Sequence, residues 1–500
     1  MSRVLRTSWL LKPTCAALTL GLLSFGACSG GGGKGGAGIG GSGYKADGTV
    51  TEFGSVFVNG VEFDTSAAVF EIEGASGSQA SLILGMRVQV EATLDASGTK
   101  GTATRVTFED ELEGPIPAGG AITEDADQEN KDFSILGVAV RVNVDDTTFS
   151  GLTYQSLALG DSLQISGFYD AAGLLRATAV VKKGAFTPNA SIVEARGTVA
   201  SLGANTIGLR VGATTLTVDT TQADLSQVPG GLAVGQVVEA KGTIASDAAT
   251  SILATAVKLS TAFTDGDTLE LEGSVTRFVS QSDFDVEGTK VNASGATLDP
   301  TNFTLALGER VEVEGKLSSG VLQASIVRSR GGERRAHATA SNVNVSAGTF
   351  DLTVAGQTVR VKVTTTTKLK DTTAPQPPLT LATLANLNGK FVKVRGLEDA
   401  SGAIVATRVF AGNLGTVELQ GPITAQVIGT SVTVLGVVFP VDGTTKFSDS
   451  ANADFPGGQA DFANNVTLGS TPIRVRDKQV GPGGGSNAFG VADQVEVQTP

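Results

Sequence analysis

Few side chains in this sequence suit catalysis, and their positions narrow what chemistry is open. His337 is the single histidine, and Cys15 and Cys28 are the two cysteines. That supply leaves no His-pair or Cys-cluster metal site, and a Ser-His-Asp or Cys-His centre is hard to assemble from it. No second catalytic group is suggested beside His337. Carboxylates remain. Asp125, Asp127, Glu129 and Asp132 set oxygen ligands close together in sequence, the donor type that a Ca²⁺ loop needs at about 2.3–2.6 Å. Asn130 stands where an EF-hand has glycine, and Leu136 where it has its closing Glu. The stretch therefore reads first as a solvated hairpin loop and only weakly as a calcium loop. A second acidic run, Glu109-Asp110-Glu111-Leu112-Glu113, reads as an exposed strand edge that discourages pairing with other chains.

Two-carboxylate hydrolysis of glycosides needs only Asp and Glu, yet no pair stands out, and sugar sites favour aromatic platforms. Aromatic residues make up only 5% of the chain. Tyr154, Phe168 and Tyr169 are the nearest thing to an aromatic patch and read as packing within one domain. Arg328, Arg330, Arg334 and Arg335 form the one basic cluster, with no aromatic among them. Single-strand binders combine such charge with stacking rings, so the cluster reads as a solvated linker and not as a nucleic-acid site.

The elements that must position these residues begin with a leader. Met1 to Lys12 carries Arg3, Arg6 and Lys12 and no acid, and Thr14 to Phe25 is an apolar run. That run is short for a membrane span and suits a signal peptide. It ends Phe25-Gly26-Ala27-Cys28. Small residues before a cysteine resemble the lipobox of bacterial lipoproteins, with Phe25 in place of the usual Leu. The resemblance implies cleavage before Cys28, a lipid on its thiol and an outer-membrane location, since Ser29 and not Asp follows. Cys15 would leave with the leader, so the mature chain could form no internal disulfide. Without the leader, 34 basic residues face 50 acidic ones, which suits a soluble surface and opposes phosphate-backbone binding. Residues 29–43, SGGGGKGGAGIGGSG, form a flexible tether with a reach of roughly 20 Å.

Self-similarity organises the rest. An alternating strand ending in Gly-x-β-branched recurs at Gly48-Val50, Gly114-Ile116, Gly197-Val199, Gly273-Val275 and Gly421-Ile423, and degenerates to Ala338-Ala340. A closing Ala-x-x-Val begins at Ala103, Ala177, Ala254, Ala324, Ala406 and Ala492, at intervals of 74, 77, 70, 82 and 86 residues. Aligned this way, His337 takes the place of Asp47, Glu113, Arg196, Glu272 and Gln420, all read as polar residues on the outer side of a strand. In repeat four, Val311 and Val313 alternate with Glu312 and Glu314, and the period of two predicts valines inward and glutamates in solvent. One short helix is expected, at Thr380 to Asn388, from leucines three apart and the Gly389 stop.

The expected fold is all-β, a tandem array of small OB-like β-barrel domains after a signal peptide and Gly-rich tether. The expected segments are 1–27 (lipoprotein signal peptide), 28–43 (acylated Cys and tether), then repeats at 44–111, 112–190, 191–266, 267–332, 333–413 and 414–500, the last divergent. The opening motif, the central Phe57-Val-Asn-Gly-Val61-Glu-Phe63 and the closing hairpin with Gly85, Val88, Val90 and Ala103 resemble the bacterial domain-of-unknown-function family 5666. Its members are typically exported or lipid-anchored, and it implies no activity and no site residues. The expected function is a non-enzymatic, membrane-anchored surface or periplasmic lipoprotein, acting as a structural, adhesion or binding module with an envelope protein or glycan as partner. No cofactor and no nucleic acid are expected. The alternative is a multivalent carbohydrate- or peptide-binding array, and the weakest reading is a carboxylate-based hydrolase.

Overall fold

The computed structural model describes residues 43–125, 128–260, 263–301, 303–331, 334–371, 379–412, 415–449, 453–478 and 490–498. The leader, Cys28, nearly all of the tether and Asp127 lie outside them. Repeat four shows the fold. Its opening strand, Thr268–Ser280, runs antiparallel to Asp283–Val286, which turns back into Thr289–Asn292. That third strand lies parallel to the closing Val321–Ser329, whose hairpin partner Arg310–Ser318 returns to the opening strand. Five strands thus close on themselves in the order of an OB barrel and leave no free edge. Repeats one, three and five close the same way. Repeat two opens with a strand of only four residues, Leu112–Pro115. Repeat six is held at the equivalent seam by a bond from the Ala492 amide to the Pro440 carbonyl, 2.9 Å.

The Ala-x-x-Val spacing has a physical cause. Residues three apart on a plain strand face opposite ways, yet Ala254 and Val257 are both fully buried. A bulge re-phases the strand: Ala254 pairs with Gly242, Ala256 with Lys241, and Thr255 is skipped. The same break follows Ala103, Ala177, Ala324 and Ala406. The skipped residue is always a hydroxyl. Thr104, Thr178, Thr255, Ser325 and Thr407 each donate to a carbonyl of the neighbouring strand at 3.0–3.3 Å. Opposite the alanine, repeat one has Ala92, and in repeats two to five glycine is required by close approach: a Cβ on Gly242 or Gly396 would stand 2.1 Å from a backbone oxygen. Bulges of this kind let a small sheet curl shut.

Val311 and Val313 point inward as expected and are fully buried among Leu269, Leu271, Phe284 and Val327. The expected helix is one 3₁₀ turn, Leu384–Leu387, with both leucines buried. Leucines three apart match three residues per turn better than 3.6. A short α-helix stands instead in repeat six, Gln459–Asn464.

The barrels are not beads. The described residues all fall in one compact unit. The opening strand of repeat one pairs parallel with that of repeat four, from Tyr44 opposite Thr268 to Asp47 opposite Leu271. Repeats two and three pair antiparallel through Glu113 and Glu194, and repeats five and six through His337 and Glu418.

Candidate functional site

Strand pairing between repeats covers the face that alternation assigns to solvent. Each opening strand carries two outward polar residues, one and three places before its Gly or Ala: Lys45 and Asp47, Glu111 and Glu113, Glu194 and Arg196, Glu270 and Glu272, Arg335 and His337, Glu418 and Gln420. Asp47, Glu111, Glu113, Glu194, Glu270, Glu272, His337 and Glu418 are all buried. The expectation of exposed strand residues is therefore corrected, His337 included. Another barrel lies against that face, and alternation alone cannot tell water from a second, polar core.

Between repeats one and four that polar core is mostly compensated. Arg310 meets Glu272 at 2.6 Å, and Arg328 meets Glu312 at 2.7 Å. The Thr49 amide and hydroxyl both donate to Glu272 at 3.0 Å. Burial pushes the Glu272 carboxyl up, but Arg310, Arg330 and Thr49 outweigh it and hold it at about 2. Arg328 and Arg330 are thus buried partners, not a solvated linker. Arg87 binds Asp47 at 2.6 Å and Glu111 at 3.0 Å, and Arg196 reaches Glu111 at 2.9 Å. Phe168 of repeat two lies between Arg87 and Arg310, 5.4 and 3.9 Å from its ring centre. It is an inter-barrel contact and not the packing of one domain. Tyr154 stays within its own repeat, edge-on to Phe149 and under Lys131.

A second compensated junction joins repeats two, five and six. Asp146 meets Arg408 at 2.6 Å and Arg395 at 2.8 Å, and Asp145 meets Lys393 at 2.5 Å. Burial alone would raise the Asp146 carboxyl, and the surrounding cations pull it far below the usual range. Burial drives the His337 ring down to about 4 despite Glu418 opposite it, and Arg335, Lys393 and Arg395 reinforce the fall. Glu418 in turn is held at about 2, its burial outweighed by His337, Arg474, Arg335 and Arg476.

The sequence-level calcium loop does not gather. Asp125 accepts from the Glu129 and Asn130 amides at 2.9 and 3.2 Å, closing its own turn. Glu129 turns away to Arg335 at 3.1 Å, and both oxygens of Asp132 bind Arg141 at 2.6 and 2.5 Å. Asp127 lies outside the described residues.

A different acidic group does assemble, where repeats one, two and three meet. Glu73 follows the strand Val69–Ile72 in a left-handed turn (φ 53°), Asp110 lies in the link between repeats one and two, and Glu194 belongs to the opening strand of repeat three. One carboxylate oxygen from each lies within 4.8 Å of the others. Asp110 is fully buried, and neither of its side-chain oxygens has a hydrogen-bond partner. One oxygen of Glu73 accepts from the Asp110 amide at 3.0 Å and from Gln164 at 3.1 Å; the other is unpartnered. Glu194 gives one oxygen to Lys241 and keeps the other free, as Glu239 does beside Lys258. Burial, then Glu194, pushes Glu73 up to about 9, and burial with Glu109 pushes Glu239 up to about 8. Asp110 is raised well above its ordinary value by burial and by Glu73. A cavity of about 280 Å³ borders the group, lined by Glu73, Glu113, Lys183, Glu194 and Lys241 among others. The run Glu109–Glu113, expected as an exposed edge, is buried from Asp110 through Glu113. Sequence reasoning missed Glu73 and Glu194. For Glu194 a signal existed in the doubled outward polar positions of every opening strand; for Glu73, a lone turn residue, there was none.

No curated protein matches the chain. Among solved structures, one match is described as "drosophila Unr CSD456", 17% identical, covering 41% of this chain and 90% of that one with a TM-score of 0.12. A family model described as "Domain of unknown function (DUF5666)" matches residues 47–107, 119–181, 196–258, 272–328, 343–409 and 420–498. Six matches in tandem cover most of the sequence, and the chain belongs to the DUF5666 family.

Proposed function

We propose that this is a non-enzymatic, lipid-anchored protein of the bacterial envelope, acting as a structural, adhesion or binding module, with Cys28 as the lipid attachment and the outer membrane as its location. The observation that carries the reading is the use to which the charged residues are put. Polar residues recur on the opening strands of the repeats, and pairs such as Arg87–Glu111, Arg196–Glu111, Arg335–Glu129 and Arg408–Asp146 cross the junctions, which favours a rigid multi-barrel body over a reaction centre. The Gly-rich tether would let that body stand off the lipid surface, where an envelope protein or a glycan is its partner. An array of six equal ligand sites on the opening strands is disfavoured, since pairing between barrels buries most of that face.

The anchor carries the test. Replacing Cys28 with Ser should move the protein from the membrane fraction to the soluble one and abolish labelling by a fatty-acid probe. Unchanged labelling would overturn the anchored reading.

A further inference from the structure

Carboxylates from repeat one, the link to repeat two and repeat three converge, and of the three only Glu194 has a cation partner among the described residues, Lys241. Glu73 and Asp110 make no ion pair within 4.0 Å among the described residues, while Lys183, Lys241 and Lys258 are drawn to Glu113, Glu194 and Glu109 or Glu239 around the rim. A buried carboxylate without a partner is costly, and here four oxygens of Glu73, Asp110 and Glu194 share that condition. Their chemistry is that of a hard-cation site, all oxygen, and anionic once an ion displaces the protons that burial and mutual repulsion hold on them. One oxygen of each lies within 4.8 Å of the other two, close enough for one ion to reach all three, and an irregular oxygen set of this kind suits Ca²⁺, whose coordination is flexible, better than Mg²⁺, which demands near-ideal octahedral geometry. The adjoining cavity, about 280 Å³, supplies an entry path and room for water ligands.

We propose that Glu73, Asp110 and Glu194 bind one divalent cation of the calcium class, which clamps repeats one, two and three together. Glu73 brings the turn after Val69–Ile72 in the middle of repeat one, Asp110 the link to repeat two and Glu194 the opening strand of repeat three, so the ion joins elements separated by 121 residues in sequence. Glu73 is already oriented, because its other oxygen holds the Asp110 amide. The rim lysines neutralise Glu113, Glu109, Glu239 and one oxygen of Glu194, and leave Glu73, Asp110 and the second Glu194 oxygen for the ion.

The experiment uses the purified full-length chain, stripped with chelator and titrated with CaCl₂ at neutral pH by calorimetry and by thermal melting. One tight or moderate site is expected, with a dissociation constant no weaker than about 1 mM, and calcium should raise the melting temperature. Asp110→Asn and, independently, Glu73→Gln should each weaken binding by about tenfold or more and lose the thermal response, while melting normally without calcium. Asp125→Asn, in the surface loop of repeat two, should leave binding intact. A wild-type chain that shows neither heat nor a thermal shift with calcium overturns the proposal. So does a calcium response that survives in both Asp110→Asn and Glu73→Gln, since the ion would then sit elsewhere.

Discussion

Two junctions in the same molecule handle buried aspartate in opposite ways. Asp146 of repeat two enters a ring of cations, with Arg395 and Arg408 within 2.8 Å, and its carboxyl is held far down. Asp110, on the link between repeats one and two, meets Glu73 and Glu194 instead, and its carboxyl is pushed well up. Burial acts the same way on both; the neighbours decide the sign. The difference teaches that the junctions are not one repeated device. Asp146 makes an ionic weld whose cations, Arg395 and Arg408, come from the chain itself. The Asp110 junction gathers more buried carboxyls than it has cations to pair, and from that shortfall a ligand is inferred.

The largest effect should come from breaking a compensated weld. Glu312 is fully buried and bonded to Arg328. Glu312→Lys should cost about 3–5 kcal/mol by urea unfolding, because it removes the anion and adds a third cation beside Arg328 and Arg330. A loss typical of a surface site, under about 0.5 kcal/mol, would mean that repeats one and four do not seal that face.

Next comes the pH response of the weld between repeats five and six. His337 is held at about 4 in the folded chain, against about 6.5 unfolded. Its contribution is therefore complete above pH ~6.5 and is lost as pH falls through that window to about 4. Glu418 adds a loss of the same sign only below about 4.5, since it is held at about 2. The share due to His337 should fall by up to about 3 kcal/mol across this window, against an opposite trend from Glu73, Glu239 and Asp110, whose raised carboxyls favour the folded chain at low pH, and His337→Gln should remove that share from the profile. An unchanged slope in the variant would place the acid sensitivity elsewhere.

The smallest effect concerns the bulge that every clear repeat shares. Thr255→Val keeps the shape and removes the bond to the Lys241 carbonyl at 3.2 Å. A loss of about 0.5–1 kcal/mol is expected by urea unfolding. No loss would leave the hydroxyl at this position unexplained.

Much of the fold was legible because closing a small barrel forces particular residues into particular places. Gly242 and Gly396 must lack a side chain, and Ala254 and Val257 must share a face across a bulge. The bulge recurs in sequence as Ala-x-x-Val, and close approach at the opening strand, as at Gly197, recurs as Gly-x-Val, so the repeats and their all-β character could be read directly. The junctions were not legible for the opposite reason. Glu312 between Val311 and Val313 looks the same whether water or Arg328 covers it, and His337 gave no sign of the barrel packed over it. Glu73 was invisible because it comes from a turn, where no periodicity constrains it. The Asp125–Asp132 loop misled in the other direction: carboxylates close in sequence were partnered separately, by an amide turn, by Arg335 and by Arg141.

The contrast between the two aspartates can be measured with one substitution made twice. Asp110→Asn and Asp146→Asn change shape hardly at all and remove one buried charge each. Urea unfolding with chelator present should show Asp146→Asn destabilised by about 3–5 kcal/mol, its guanidinium partners left uncompensated. Asp110→Asn should fall within about 0.5 kcal/mol of the parent or above it, because its new amide can donate to Glu73 and Glu194 and a like charge is gone. Equal and large losses in both variants would contradict the account, for they would mean that Asp110 is held as firmly as Asp146 and that its junction needs no ion.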